Sequence, residues 1–133
     1  LTEFEKLYYC TGHHRILAIH RHPAGPFLCR RANGHTCPFC QAGYPVRAVL
    51  VGLAVDMDDG QPHLIFAGRQ ELWPLVSSAG GLRVVKRGSS VEFERCQVYP
   101  PSRCPDRDTL DRMVMKAFHA EKHQKEKANP EAV

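Results

Sequence analysis

The stretch from His20 to Pro45 reads HRHPAGPFLCRRANGHTCPFCQAGYP, and no long regular element fits it. Prolines at 23, 26, 38 and 45 and glycines at 25, 34 and 43 interrupt any helix or strand. A loop of this length is uncommon in a small domain unless something else constrains it. Donors for a metal ion lie within it. Cys37-Pro38-Phe39-Cys40 is a C-x-x-C turn, which brings two thiolates to one point, and Asn33-Gly34 can reverse the chain so that Cys29 returns as a third ligand. His20 and His22 stand two residues apart at the end of an apparent strand, so both side chains project from one face. His22 is the expected fourth ligand, with His20 as the alternative. Zinc takes such donors in a tetrahedron, and its binding free energy would fold a segment with few large apolar groups to bury.

Other chemistries fit these residues less well. A dithiol redox pair sits at a helix N-terminus, but Gln41-Ala42-Gly43-Tyr44-Pro45 contains two breakers and no strand leads directly into Cys37. A nucleobase deaminase needs H-x-E and P-C-x-x-C; no glutamate follows His13-His14, and Thr36 precedes Cys37. Gly80-Gly81 lacks the lysine and spacing of a phosphate loop. Cys10 with His13 and two later cysteines is a competing metal set, while Cys96 and Cys104 read as ordinary packing. Three thiolates and a histidine leave no open position for a catalytic water, so the metal is expected to be architectural and the protein not an enzyme.

Outward from this segment the elements follow in order. Arg15 to His22 reads as a strand, and Val46 to Met57 (VRAVLVGLAVDM) as a longer one with a bulge or bend at Gly52. Asp58-Asp59-Gly60 turns into His63 to Ala67, giving a hairpin. Gly68 to Gly81 fits a short linking helix, and Leu82 to Lys86 with Val91 to Tyr99 a second hairpin. Asp106 or Asp108 caps a final helix with Leu110, Met113, Val114, Ala117 and Phe118 on one face. The expected fold is mainly β, a five-stranded OB-like Greek-key barrel over 1–105, with a zinc-binding insertion at 20–45 between the first two strands. An amphipathic helix at 106–120 and a polar, disordered tail at 121–133 complete the expectation.

Length and composition agree with one domain. The chain has 133 residues, 43% of them hydrophobic. Its longest apolar run, Ala48 to Val55, falls well short of a membrane span. It opens on Leu1 without a charged-then-apolar leader, so the expectation is a mature or trimmed cytoplasmic polypeptide with no address. Six cysteines would permit three disulfides, but their spacing argues for metal in a reducing compartment. The net charge of +4 sits in the first 50 residues, where Lys6, Arg15, Arg21, Arg30, Arg31 and Arg47 face only Glu3 and Glu5.

That asymmetry suggests a polyanionic partner. Single-strand binders combine a cationic groove with aromatic platforms. Arg21, Arg30, Arg31 and Arg47 flank or lie in the insertion, Phe39 and Tyr44 are its expected exposed rings, and Arg83, Lys86 and Arg87 come from the later hairpin. Trp73 and Phe93 are assigned to the core. A His, Cys, C-x-x-C set (His22, Cys29, Cys37, Cys40) between the first two strands resembles the zinc-containing OB-fold single-stranded DNA-binding proteins of phages, over about residues 10–100. The resemblance implies a structural zinc and a strand cradled by Tyr44, Arg47, Lys86 and Arg87. The acidic tail usual in that family is missing, since Lys122, Lys125 and Lys127 mix with the acids here. The expected function is binding of single-stranded nucleic acid, DNA preferred, by phosphate neutralisation and base stacking. The rival is a non-catalytic subunit of a replication, recombination or defence complex, docking a protein partner through Leu110, Met113, Val114 and Phe118.

Overall fold

The computed structural model describes residues 3–118, so the polar tail and the last two positions of the expected terminal helix lie outside it. Six strands run β1 (Glu3–His22), β2 (Gly25–Leu28), β3 (Val46–Asp56), β4 (Pro62–Ala67), β5 (Gly80–Arg87) and β6 (Ser90–Cys96). Helices are α1 (Pro38–Gln41), α2 (Trp73–Ser77) and α3 (Arg107–Phe118), with short 3-10 turns at Arg30–Asn33 and Gln70–Leu72.

β1 organises the rest. It extends twelve residues before Arg15, because Phe4, Lys6, Tyr8 and Cys10 alternate with Glu3, Glu5, Leu7 and Tyr9. The glutamates of this run find partners on β5: Glu5 pairs with Arg83 and Glu3 with Arg87, which overrides the poor strand propensity of glutamate. Beyond Cys10 the strand bends. Cys10 faces Ala54 and His14 faces Gly52, so Thr11, Gly12 and His13 oppose Leu53 alone. Gly12 takes a φ of 91°, and the Thr11 hydroxyl donates to the Leu53 carbonyl at 2.8 Å, tying the bulge down. The expected bulge therefore lies across from Gly52 rather than on it. Gly52 serves a different need: a Cβ there would stand 2.3 Å from Val76 Cγ1, so its lack of a side chain lets α2 approach the sheet.

All pairings are antiparallel, in the order β4-β3-β1-β5-β6, with β2 beside the end of β1. Among the described residues no ladder joins β4 to β6, so the sheet is open and the closed barrel expected from element order is corrected. α2 stands between these edges, touching both, and Arg95 of β6 donates to the carbonyls of Pro74 and Ser78. The insertion also contains β2, inside the segment expected to be irregular. Gly25–Leu28 is too short to show a pattern and gains its order from the partner residues Ile19–His22.

Two layers cover the sheet. On one face Leu110, Val114 and Phe118 of α3 pack on Ile19, Val51 and Leu53, with Arg15 and Asp111 paired at 3.0 Å beside them. On the other, Val76 of α2 packs on Leu50 and Ala67, and Trp73 donates its indole N–H to the Ala67 carbonyl. Leu110→Ala should lower stability by about 2–5 kcal/mol in urea denaturation, since this side chain is completely buried.

At the far end of β3, fully buried Asp56 receives Lys6 at 2.5 Å and the Asp58 amide at 2.8 Å. The Lys6 bond outweighs burial and holds the Asp56 carboxyl below the usual carboxylate range. Its stabilising contribution is complete above the ordinary carboxylate pKa of about 4 and is lost as pH falls through the lowered value. Asp56→Asn should therefore flatten the acid limb of a plot of melting temperature against pH.

Candidate metal centre

Four donors converge where the insertion folds back on the sheet. His20, Cys29, Cys37 and Cys40 each offer one ligand atom, and these atoms all lie within 4.8 Å of one another. His20 Nε2 is 3.3 Å from both Cys37 Sγ and Cys40 Sγ, and Cys29 Sγ is 3.5 Å from Cys40 Sγ. Tetrahedral coordination at ordinary Zn–S and Zn–N lengths requires edges of about 3.5–3.8 Å, so these donors can hold a metal ion with little adjustment.

Local folding explains each position. The Cys29 amide donates to the Ala18 carbonyl at 2.8 Å, which anchors the excursion beside β1. The 3-10 turn then ends at Gly34 with φ 78°, the chain reversal expected at Asn33-Gly34. Cys37 precedes α1, and Pro38 starts it, so one turn of helix presents Cys37 and Cys40 together. Burial pushes the Cys37 thiol up, but hydrogen bonds from the Arg30, Cys40 and Phe39 amides bring it down to about 6, favouring the thiolate a metal needs. Cys40 is held above the ordinary thiol value by burial and by the adjoining Cys29 and Cys37 thiols, with Arg31 opposing.

The histidine is His20, not the preferred His22. Side chains on this face alternate through Ala18, His20 and His22, and His20 is the one placed beneath the excursion, with no exposed surface. Its Nδ1 faces the Tyr44 and Pro45 carbonyls at 3.1 and 3.2 Å. A carbonyl only accepts, so Nδ1 carries the proton and the Nε2 lone pair points at the sulfurs, the usual orientation of a ligating imidazole. Beyond it, His22 accepts the Ala24 N–H through Nδ1 and packs against Phe27, Phe39 and Tyr44. Strand alternation made both histidines plausible, and only the carbonyls of Tyr44 and Pro45 separate them.

The remaining candidates disperse. Phe39, expected to be exposed, is buried against Phe27 with ring centroids 4.6 Å apart, so it cannot serve as a stacking platform. Tyr44 is half-buried in the same cluster, and Arg30 is half-buried, whereas Arg31 and Arg47 are exposed. Lys86 and Arg87 stand against Phe4 and Glu3, while Arg47 stands against Ile19 near the other end of β1. Arg87 pairs with Glu3 and Glu92, and Arg83 with Glu5 and Glu94, which ties up both guanidinium groups. Trp73 and Phe93 are partly buried and join the core. Cys10 lies apart, packed with Ala54 and Leu82, and burial raises its thiol to about 11; the competing set with His13 does not form. Asp56, Asp59 and His63 make a second gathering of donors, into which Lys6 already projects.

Compared with known protein families, curated proteins and solved structures, the chain matches none of them. His20→Ala should abolish stoichiometric metal in elemental analysis of the purified protein, whereas His22→Ala should retain it.

Proposed function

We propose that the chain is a zinc-stabilised, partly open OB-type domain that binds single-stranded nucleic acid, with DNA preferred. The strand order supports the OB reading: numbering the five main strands in chain order gives 3-2-1-4-5, with a helix between the third and fourth and only the last seam unpaired. OB folds are often partly open at this point, and their first hairpin loop and the outer face of strands two and three bind oligonucleotides. The metal-holding excursion occupies that loop.

The observation carrying the functional reading is the set of cations around the excursion. Arg21, Arg31 and Arg47 are exposed, and none of them pairs with a carboxylate among the described residues. Exposed guanidinium groups without carboxylate partners suit phosphates, which bind through counterion release, and among the described residues the Arg31 side chain bonds only the Cys40 thiol. Zinc fits three thiolates and an imidazole, and four protein ligands give it an architectural role. Thiolate ligands also suit a reducing compartment such as the cytoplasm. The rival interaction subunit loses its expected surface, because Leu110, Val114 and Phe118 are buried against the chain's own sheet.

Fluorescence anisotropy with a labelled oligo-dT tests the reading. Three phosphate contacts predict a log–log salt slope of about −2, roughly fifteen-fold weaker binding between 50 and 200 mM salt. Absence of binding at the lower salt, or affinity indifferent to salt, overturns it.

A further inference from the structure

The face carrying Ile19, Arg47, Val49, Val51 and Phe66 is only partly free. Antiparallel partners project to the same side, so Ile19 with Arg47 and Val51 with Phe66 define one surface across β1, β3 and β4. α3 lies over Ile19, Val51 and Leu53 of that surface. What remains is a trough of about 410 Å³ beside the metal excursion, lined by Arg21, Pro26, Val49, Phe66 and Gly68. A second hollow of about 230 Å³ shares Pro26 and Phe66 and ends against Ala117 and Phe118 of α3. The trough is therefore blocked on that side by the protein's own helix.

Its lining combines stacking with charge. Phe66 is 47% exposed, a large aromatic surface facing solvent on a strand whose other residues are half-buried or buried. Gly68 follows the end of β4, and a Cβ placed there would meet nothing within 4 Å, so the missing side chain leaves a notch beside the ring. Arg21 lines the trough, and Arg47 emerges on the same face opposite Ile19, each without a carboxylate partner among the described residues.

Resting on the single-strand reading above, we infer that this trough takes one unpaired nucleotide, its base on Phe66 in the Gly68 notch and its flanking phosphates on Arg21 and Arg47. The ligand is then a short unpaired element, and not the long track of roughly 4–16 nucleotides that an uncovered OB face accommodates. Charge complementarity selects this occupant over an apolar peptide, which would leave both guanidinium groups unanswered.

Affinities for oligo-dT of about 4, 12 and 24 nucleotides, corrected for overlapping registers, test the length. Short-site binding predicts values within roughly three-fold of one another, whereas a rise above roughly ten-fold from the shortest to the middle length overturns the inference and leaves the parent reading standing. Gly68→Leu fills the notch without altering charge and should weaken the shortest oligonucleotide roughly ten-fold, with metal content and melting temperature unchanged. Phe66→Ala should do the same and Phe66→Trp should retain binding. If wild type binds while Gly68→Leu and Phe66→Ala bind equally well, the trough is not the site. If wild type binds no oligonucleotide at low salt, the parent reading fails and this one falls with it.

Discussion

Two carbonyl groups decide how the insertion is built. The Tyr44 and Pro45 oxygens accept from His20 Nδ1, fix the tautomer of a fully buried ring, and leave its other nitrogen for the three sulfurs. Those carbonyls belong to the residues that lead into β3, so the contact joins the far end of the excursion to the strand it left. Together with the Cys29 amide on Ala18, it closes both ends of the loop on β1. The packed rings of Phe27 and Phe39 then fill the space beneath, the first of them contributed by β2. An ion at the sulfurs would link these contacts in one cooperative unit, because no part of the excursion is large enough to bury a core alone.

The rest of the molecule is held by conventional means. Alternating side chains divide the sheet into a face under α3 and a face under α2, and glycine is used where a backbone or side chain must come close, as at Gly52. The outer surface near the start of β1 carries a lattice in which two arginines each bridge two glutamates across three strands. Such exposed pairs add little stability singly but favour one strand register, since a slip by one residue would set charges against the core side. They also divide the charge of the surface: guanidinium groups there are paired with carboxylates, whereas Arg21, Arg31 and Arg47 have no carboxylate partner among the described residues.

Much of this was legible in the residues. C-x-x-C spacing, the upstream Cys29 and the breakers around them identified the donor group, and strand propensity and alternation identified β3 to β6 within two residues, except that β6 stops at Cys96, three residues before the expected end at Tyr99. The amphipathic face of α3 was also readable, though not what it would cover. Three features were hidden for physical reasons. The first half of β1 carries glutamates whose arginine partners lie some eighty residues on, so local propensity gave no hint of it. Choosing His20 over His22 depends on carbonyls more than twenty residues away. Phe39 follows the proline of the C-x-x-C turn and looked exposed because it sits in a loop, yet Phe27 reaches it only once β2 has paired with β1. The closed barrel was missed, and the burial of Leu110, Val114 and Phe118 was not foreseen, for a related reason: both depend on which surfaces the chain covers for itself.

β1 contributes to both wings of the sheet, pairing with β5 through its first part and with β3 mainly through its second, and it carries His20 of the candidate metal centre two residues before its end. Neither wing retains a complete set of partners if that strand is cut. The polypeptide is thus indivisible: no dissection yields a self-sufficient Cys/His minidomain and an independent scaffold. Evolutionary shuffling or deliberate circular permutation must carry Glu3 to His22 as one uninterrupted piece.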